Sequence, residues 1–242
     1  MNQQRQALVT GANKGIGLAI AKGLAEAGFF VWIGARDRAR GEQAVAQLRD
    51  AGLDAALLEL DVANESSVHR AAATLAADIC ALDILINNAG IVIDMTRAPS
   101  EVRMEDMKAV YEVNLFGAVR VTQAFLPLLK AADQARIVMM SSGVGSLALI
   151  TDPTSIYSSV NLLDYTSSKV ALNAVTVSFA KELEPSGIKV NAVEPGHVRT
   201  DLNANSGFLT PEQGAETAIR MALIGADGPT GGFFGANGRQ PW

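Results

Sequence analysis

The chain has 242 residues, a formal net charge of −5 and 49% apolar residues. That length suits one domain with a sizeable core, and that composition excludes a disordered chain. The mildly acidic balance without a basic stripe argues against nucleic acid as a partner, and the single cysteine excludes an internal disulfide or a cysteine zinc cluster.

Cys80 is expected to be a small buried hydrophobe. His69 and His197 are too few and too separated to suggest a metal site. The stretch 1–6 is polar and has no apolar leader region, and no apolar run is long enough to span a bilayer. The expectation is a soluble cytoplasmic protein with no membrane partner and no metal.

Ala7-Leu8-Val9 is a short β-favouring run. It leads through Thr10-Gly11-Ala12-Asn13-Lys14-Gly15-Ile16-Gly17 into an amphipathic helix over 18–27, closed by Gly28. Strand, glycine-rich turn and helix in that order form the context of a dinucleotide fingerprint. Gly11 permits the tight turn, Gly15 the approach of a pyrophosphate, and Gly17 close helix–strand packing. Asn13 and Ile16 belong to the same cofactor-facing turn. The unpaired N–H groups and positive end of the helix attract phosphate.

A near-continuous apolar strand over 29–35 suits a parallel sheet covered on both faces. An acidic residue at its end would bind the ribose 2′-hydroxyl of NAD. Here Arg36 follows, and Lys14 sits in the glycine turn. Two cations converging near a ribose favour a 2′-phosphate, so NADP(H) is expected over NAD(H). Asp37, one residue on, keeps the NAD alternative open.

A polar-faced helix follows over 37–51, then a third strand over 54–60 ending in Asp61-Val62. Asp61 can accept a hydrogen bond from an adenine amino group or serve as a turn or cap residue. A helix over 66–78 and a strand over 82–86 lead to Asn87-Asn88-Ala89-Gly90, where small residues let a planar ring lie close to the backbone. The asparagines can instead tie strand ends together, the role favoured for Asn87. A long helical region over 105–130 contains Asn114, a poor helix former that can hold a local kink and its water, and Pro127, which should bend or interrupt it.

The fifth strand, over 136–140, runs into Ser141-Ser142-Gly143-Val144-Gly145. The stretch 146–164 is expected to be an irregular loop. Tyr157 within it has Asn161 four residues on and so no cation partner. Tyr165-Thr-Ser-Ser-Lys169 opens a helical run reaching 183. Tyr and Lys four apart share one helix face, and a nearby cation lowers the pKa of a phenol. The pair is therefore a candidate proton-transfer unit. Gly187 ends that helix, a sixth strand covers 189–193, and Pro195-Gly196-His197-Val198-Arg199-Thr200 follows. The stretch 201–209 is rich in Asn, Ser and Gly, as a mobile substrate lid near 197–209 would be. Thr210-Pro211-Glu212-Gln213 starts a helix reaching about 224, and 231–234 is expected to be the last strand. The expected fold class is α/β: a single Rossmann-type doubly wound parallel sheet, helices on both faces, spanning 1–242 as one catalytic domain.

Together these residues resemble the short-chain dehydrogenase/reductase family. The resemblance rests on Thr10-Gly-Ala-Asn-Lys-Gly-Ile-Gly17, Asn87-Asn-Ala-Gly90, Asn114, Ser142, Tyr165-x-x-x-Lys169 and Pro195-Gly196, in family order over nearly the whole chain. Within the family, Ala35-Arg36-Asp37, the stretch 212–217 and Trp242 are similar to the NADPH-dependent carbonyl reductases. The resemblance implies hydride transfer between NADP(H) and a carbonyl or secondary-alcohol substrate. It assigns Asn114, Ser142, Tyr165 and Lys169 to catalysis, selecting Ser142 over Ser141 because Gly145 lies three residues on. It assigns Asp61 and Val62 to the adenine pocket, and Asn88, Ala89, Gly90, Pro195, Gly196, Val198 and Thr200 to the cofactor. A homo-oligomer, dimer or tetramer, is implied, although the 146–164 stretch leaves a monomer open. The alternatives are an NAD-dependent alcohol dehydrogenase and a catalytically silent NADP(H)-sensing regulator. Ile91, Leu147, Leu149 and Leu162 point to a partly apolar carbonyl substrate.

Overall fold

The computed structural model describes residues 4–242, so residues 1–3 of the polar N-terminal stretch lie outside the described residues. Eight strands form one sheet in the order β3-β2-β1-β4-β5-β6-β7-β8. They are β1 Gln6–Thr10, β2 Phe30–Ala35, β3 Ala55–Glu59, β4 Ile84–Asn87, β5 Arg136–Met140, β6 Lys189–Val193, β7 Phe233–Gly235 and β8 Gly238–Arg239. All pairings from β3 to β7 are parallel, and only β8 is antiparallel to its neighbour. The order reverses between β1 and β4, so the chain leaves their C-terminal ends in opposite directions and opens a crevice there.

Successive strand residues face opposite sides of the sheet, and both sides are apolar. Leu8 packs with Leu85, Ile137 and Met139 on one face, whereas Ala7 and Val9 pack with Ile33, Ile86 and Val138 on the other. The first face is covered by α3 Glu65–Asp78, α5 Ala118–Ala131 and α7 Leu163–Leu183, the second by α1 Gly15–Glu26, α2 Arg38–Asp50 and α8 Pro211–Ala222. Three of these helices start on side-chain caps that the sequence supplies: Asp37 for α2, Asn64 for α3 and Thr210 for α8. Thr210 and Gln213 close a reciprocal capping box behind Pro211.

The long helical region divides at Asn114, not at Pro127. It consists of α4 Met104–Tyr111, a π-helical turn Glu112–Gly117 and α5. Pro127 lies inside α5, which continues to Ala131. Proline deprives the Gln123 carbonyl of its helical donor, but Gln123 is exposed and water can satisfy it. Phe125, Leu128 and Leu129 on the opposite side are buried and hold the helix together.

Three further expectations change. The 146–164 stretch is not wholly irregular: α6 Leu147–Thr151 forms behind Ser146, whose hydroxyl accepts from the Leu149 N–H, and α7 begins at Leu163. The last strand returns as a hairpin through β8, which no alternation in the short glycine-rich tail announced. Cys80 is exposed, because it follows the C-terminus of α3 in the turn before β4 and Ile79 takes the buried place beside it. Among the described residues, no helix is long and apolar enough to cross a membrane.

Candidate active site

The crevice is a cleft of about 840 Å³. Every residue expected to touch the cofactor lines it, as does Ser142, and Asn114 is buried behind its wall.

At one end lies the glycine turn. Gly11 and Gly15 hold φ of 64° and 56°, left-handed values that disfavour a side chain. At Gly17 the constraint is space: a Cβ would stand 2.5 Å from both the Asn88 amide nitrogen and the Gly11 carbonyl oxygen. Asn88 binds the turn directly, donating from Nδ2 to the Thr10 carbonyl at 2.8 Å. The Thr10 hydroxyl accepts from the Asn88 and Ala89 N–H groups at 2.9 and 3.0 Å. These bonds fix the turn to the end of β4. Asn87 has the structural role expected of it, donating to the Thr122 hydroxyl inside the core.

Unlike α2, α3 and α8, helix α1 begins without a side-chain cap, its N-cap being Lys14. Its first N–H groups therefore open into the cleft, as an anion site requires. Lys14 and Arg36 line the same end. Asp37 turns its carboxylate into the start of α2, accepting from the Arg40 N–H at 3.1 Å, and so is committed away from a ribose. Asp61 spends Oδ1 on the Ala63 N–H at 3.0 Å, while Val62 lines the cleft beside it. Asp61 therefore has the turn role and also lines the cleft.

At the other end, α7 presents Tyr165, Ser168 and Lys169. Lys169 is buried and donates to the Met140 carbonyl at 2.7 Å, at the end of β5. Its nitrogen stands 5.6 Å from the centre of the Tyr165 ring. Burial draws the Lys169 pKa down to about 8. Burial pushes the Tyr165 phenol up to about 12, and a hydrogen bond with Ser142 opposes that rise. The lowering expected from Lys169 is not found: desolvation dominates and favours the neutral phenol, and the opposing partner is Ser142.

Asn114 ties these elements together. Its Oδ1 accepts from the Ile91 N–H at 2.8 Å, and its Nδ2 donates to the Ile91 carbonyl at 3.0 Å and the Ser168 hydroxyl at 3.1 Å. A Cβ on Gly90 would come within 3.5 Å of Asn114 Oδ1 and 3.6 Å of Lys169 Nζ. The π turn, the end of β4 and α7 therefore converge on one glycine.

The family model for short-chain dehydrogenases matches residues 5–207. The chain belongs to the short-chain dehydrogenase/reductase family. It is 35% identical to short-chain dehydrogenase/reductase 1 of Saponaria officinalis, over 99% of this chain and 97% of that one. It is 32% identical to NADPH carbonyl reductase 1 of Rattus norvegicus, over 98% of each chain. Among solved structures, the NADPH-bound carbonyl reductase from chicken fatty liver superposes with a TM-score of 0.86 at 28% identity, over 99% of this chain and 100% of that one. This chain is accordingly an oxidoreductase with the Rossmann-type α/β fold of its family.

Three residues of this short-chain dehydrogenase/reductase escaped the sequence reading. Asn173, one helical turn after Lys169, donates to the Gly145 carbonyl at 2.9 Å and pins the serine turn to α7. Its position four residues beyond Lys169 was the available signal. Tyr157, set aside for want of a cation partner, lines the cleft and bonds to Glu194, an acid. Nothing local marks that pair, which is joined across 37 residues. Ile91 and Leu162 line the cleft as expected, whereas Leu147 and Leu149 do not; Ile156, Met95 and Phe208 take up the apolar rim instead.

Proposed function

We propose that this oxidoreductase reduces carbonyl compounds to alcohols with NADPH, using Ser142, Tyr165 and Lys169 as the reacting-centre residues and Asn114 to position them. One observation carries the reading: the serine, tyrosine and lysine meet at one end of a cleft whose other end is an uncapped helix terminus flanked by Lys14 and Arg36. The residues present fit NADP(H). The open N–H groups of α1 suit the pyrophosphate, the two cations suit a 2′-phosphate, and the strand-end glycines leave room for planar rings. The matches to a carbonyl reductase of rat and an NADPH-bound one of chicken support the same cofactor and reaction class.

When bound, NADPH supplies the hydride. The protein supplies position and a proton. Tyr165, kept neutral by burial, gives its phenolic proton to the carbonyl oxygen as charge develops there. Ser142 donates a hydrogen bond to that oxygen and stabilises the same charge. Lys169, held by the Met140 carbonyl, supplies a cation beside the phenol and stabilises the phenolate left behind. Asn114 holds the π turn and Ser168, and thereby α7, at a fixed height above Gly90. Pro195, Gly196, Val198 and Thr200 line the cleft and would hold the nicotinamide end of the cofactor. The 197–209 region acts as a lid over a partly apolar substrate, with Phe208 and Leu202 facing the cleft mouth. A cytoplasmic homo-oligomer is part of this reading and is checked by fractionation and a sizing measurement.

The test is NADPH consumption, followed by absorbance, over a panel of aldehydes, aryl ketones, β-ketoesters and quinones. Turnover of at least one class is expected, with a clear preference over NADH. Tight NADPH binding with no turnover of any class would favour the silent regulator.

A further inference from the structure

We infer that Tyr157 and Glu194 form a latch that seats the 152–161 segment on the serine turn and so shapes the substrate pocket. The inference deepens the proposed function and rests on its placement of the reacting centre at Ser142 and Tyr165.

The Tyr157 hydroxyl donates to Glu194 Oε2 at 2.9 Å. All the other hydrogen bonds made by residues 152–161 stay within that segment: Thr154 and Ser155 to Asp152, Tyr157 and Ser158 to Ser155, and Val160 to Tyr157. Among the described residues, the phenol is therefore the segment's single hydrogen-bonded tie to the rest of the chain. A hydrogen bond to a carboxylate is among the stronger kinds, so one such tie can decide where the segment sits.

The ring itself lies against the catalytic turn. A Cβ on Gly143, next to Ser142, would fall 2.1 Å from the Tyr157 ring carbon that bears the hydroxyl, an impossible approach. Residue 143 has to be glycine for the ring to occupy that place. Tyr157, Val160 and the 73% exposed Ile156 all line the cleft, so the segment is a substrate wall.

Glu194 is fixed independently of Tyr157. Its own N–H donates to the Phe234 carbonyl at 2.9 Å, anchoring it between β6 and β7. Its Oε2 also accepts from the Gly196 N–H at 3.0 Å, where the backbone turns at φ 76°. One carboxylate oxygen thus joins the substrate wall to the loop proposed to hold the nicotinamide. Burial first, and then the charge and hydrogen bond of Glu194, raise the Tyr157 pKa, so the phenol stays a donor at ordinary pH. With an acid beside it and no cation acting on it among the described residues, Tyr157 is a positioning residue, distinct in kind from Tyr165.

Tyr157→Phe keeps the ring over Gly143 and removes only the tie. The expected results are thermolysin cleavage within 152–161 about ten-fold faster than in the unaltered protein, and KM for the best carbonyl of the panel raised about ten-fold. Ten-fold matches the loss of one such bond. The same variant should keep kcat and NADPH affinity within about two-fold, because Ser142, Tyr165, Lys169 and Gly196 keep their partners. Glu194→Ala should show the same faster cleavage and also weaken NADPH binding, whereas Glu194→Gln, which retains an acceptor oxygen, should restore both. Unchanged cleavage in Tyr157→Phe, or a fall in kcat at constant KM, would overturn the latch. The proteolysis needs no turnover, so an inactive enzyme with a protease-sensitive Tyr157→Phe variant refutes only the proposed reaction.

Discussion

Lys169 donates its hydrogen bond to the Met140 carbonyl at 2.7 Å, although the Tyr165 ring centre is only 5.6 Å from its nitrogen. The strand end thus holds the cation, and the cation's place beside the phenol is set by β5 as much as by the helical spacing of Tyr165 and Lys169. A buried cation with one carbonyl partner is costly to keep charged.

That cost has a pH signature in the cofactor-free protein. Lys169 has a folded pKa of about 8, below the ordinary 10.5. At pH below about 8 the amine is charged in both states, and the folded state bears the burial penalty. Between about 8 and 10.5 the unfolded chain binds the proton and the folded one does not, so stability from this group rises with pH. Tyr165 acts in the opposite sense higher up: with its pKa raised from 10.0 to about 12, it loses stability as pH passes from 10 toward 12. Denaturant unfolding at about pH 7 and about pH 10 should show the gain in the unaltered protein and its loss in Lys169→Met. An equal gain in both proteins would remove Lys169 from the account.

Asn114 satisfies both the N–H and the C=O of Ile91, and it is buried. Asn114→Leu leaves those two backbone groups without partners. The expected cost is about 1–3 kcal/mol for each group left unsatisfied, read as a lower urea midpoint with an unchanged slope. A midpoint at the unaltered value would mean that the π turn holds itself.

Arg36→Ala should weaken NADPH by at least about ten-fold while leaving NADH nearly unchanged, as expected for loss of a charge-assisted contact to a 2′-phosphate. Fluorescence titration of each nucleotide measures this directly. An equal effect on both would return the choice to Asp37. Lys14 differs from Arg36 in being paired already with Asp201, an exposed carboxylate in the 197–209 region. Asp201→Asn should therefore tighten NADPH slightly, a small effect that salt would erase.

What was legible in the sequence was local chemistry. The glycine turn, the strand-end asparagines, the capping box at Thr210 and the Tyr165–Lys169 spacing each depend on residues close in the chain: Asn88 bonds the glycine turn, Thr210 and Gln213 close their box, and Lys169 stands 5.6 Å from the Tyr165 ring centre. Asn114 announced an interruption because its amide is a poor tenant of a helix, although not that it would become a π turn bonded to Ile91. Pro127 does not interrupt α5, because whether its orphaned carbonyl reaches water is a tertiary fact. Cys80 misled for the same reason, since the turn it occupies decides its exposure. Tyr157 could not be found from its own neighbourhood, because its partner lies beyond α7 and β6.

Tyr165 is proposed as the proton donor of an NADPH-dependent carbonyl reduction. Single-turnover oxidation of bound NADPH by Tyr165→Phe, alongside a binding titration of the same preparation, tests it most directly. The variant should bind NADPH within about two-fold of the unaltered protein and lose at least ~100-fold in the rate of reduction, the lower end of what positioned proton transfer contributes. Reduction at close to the unaltered rate, with NADPH binding intact, would contradict the account.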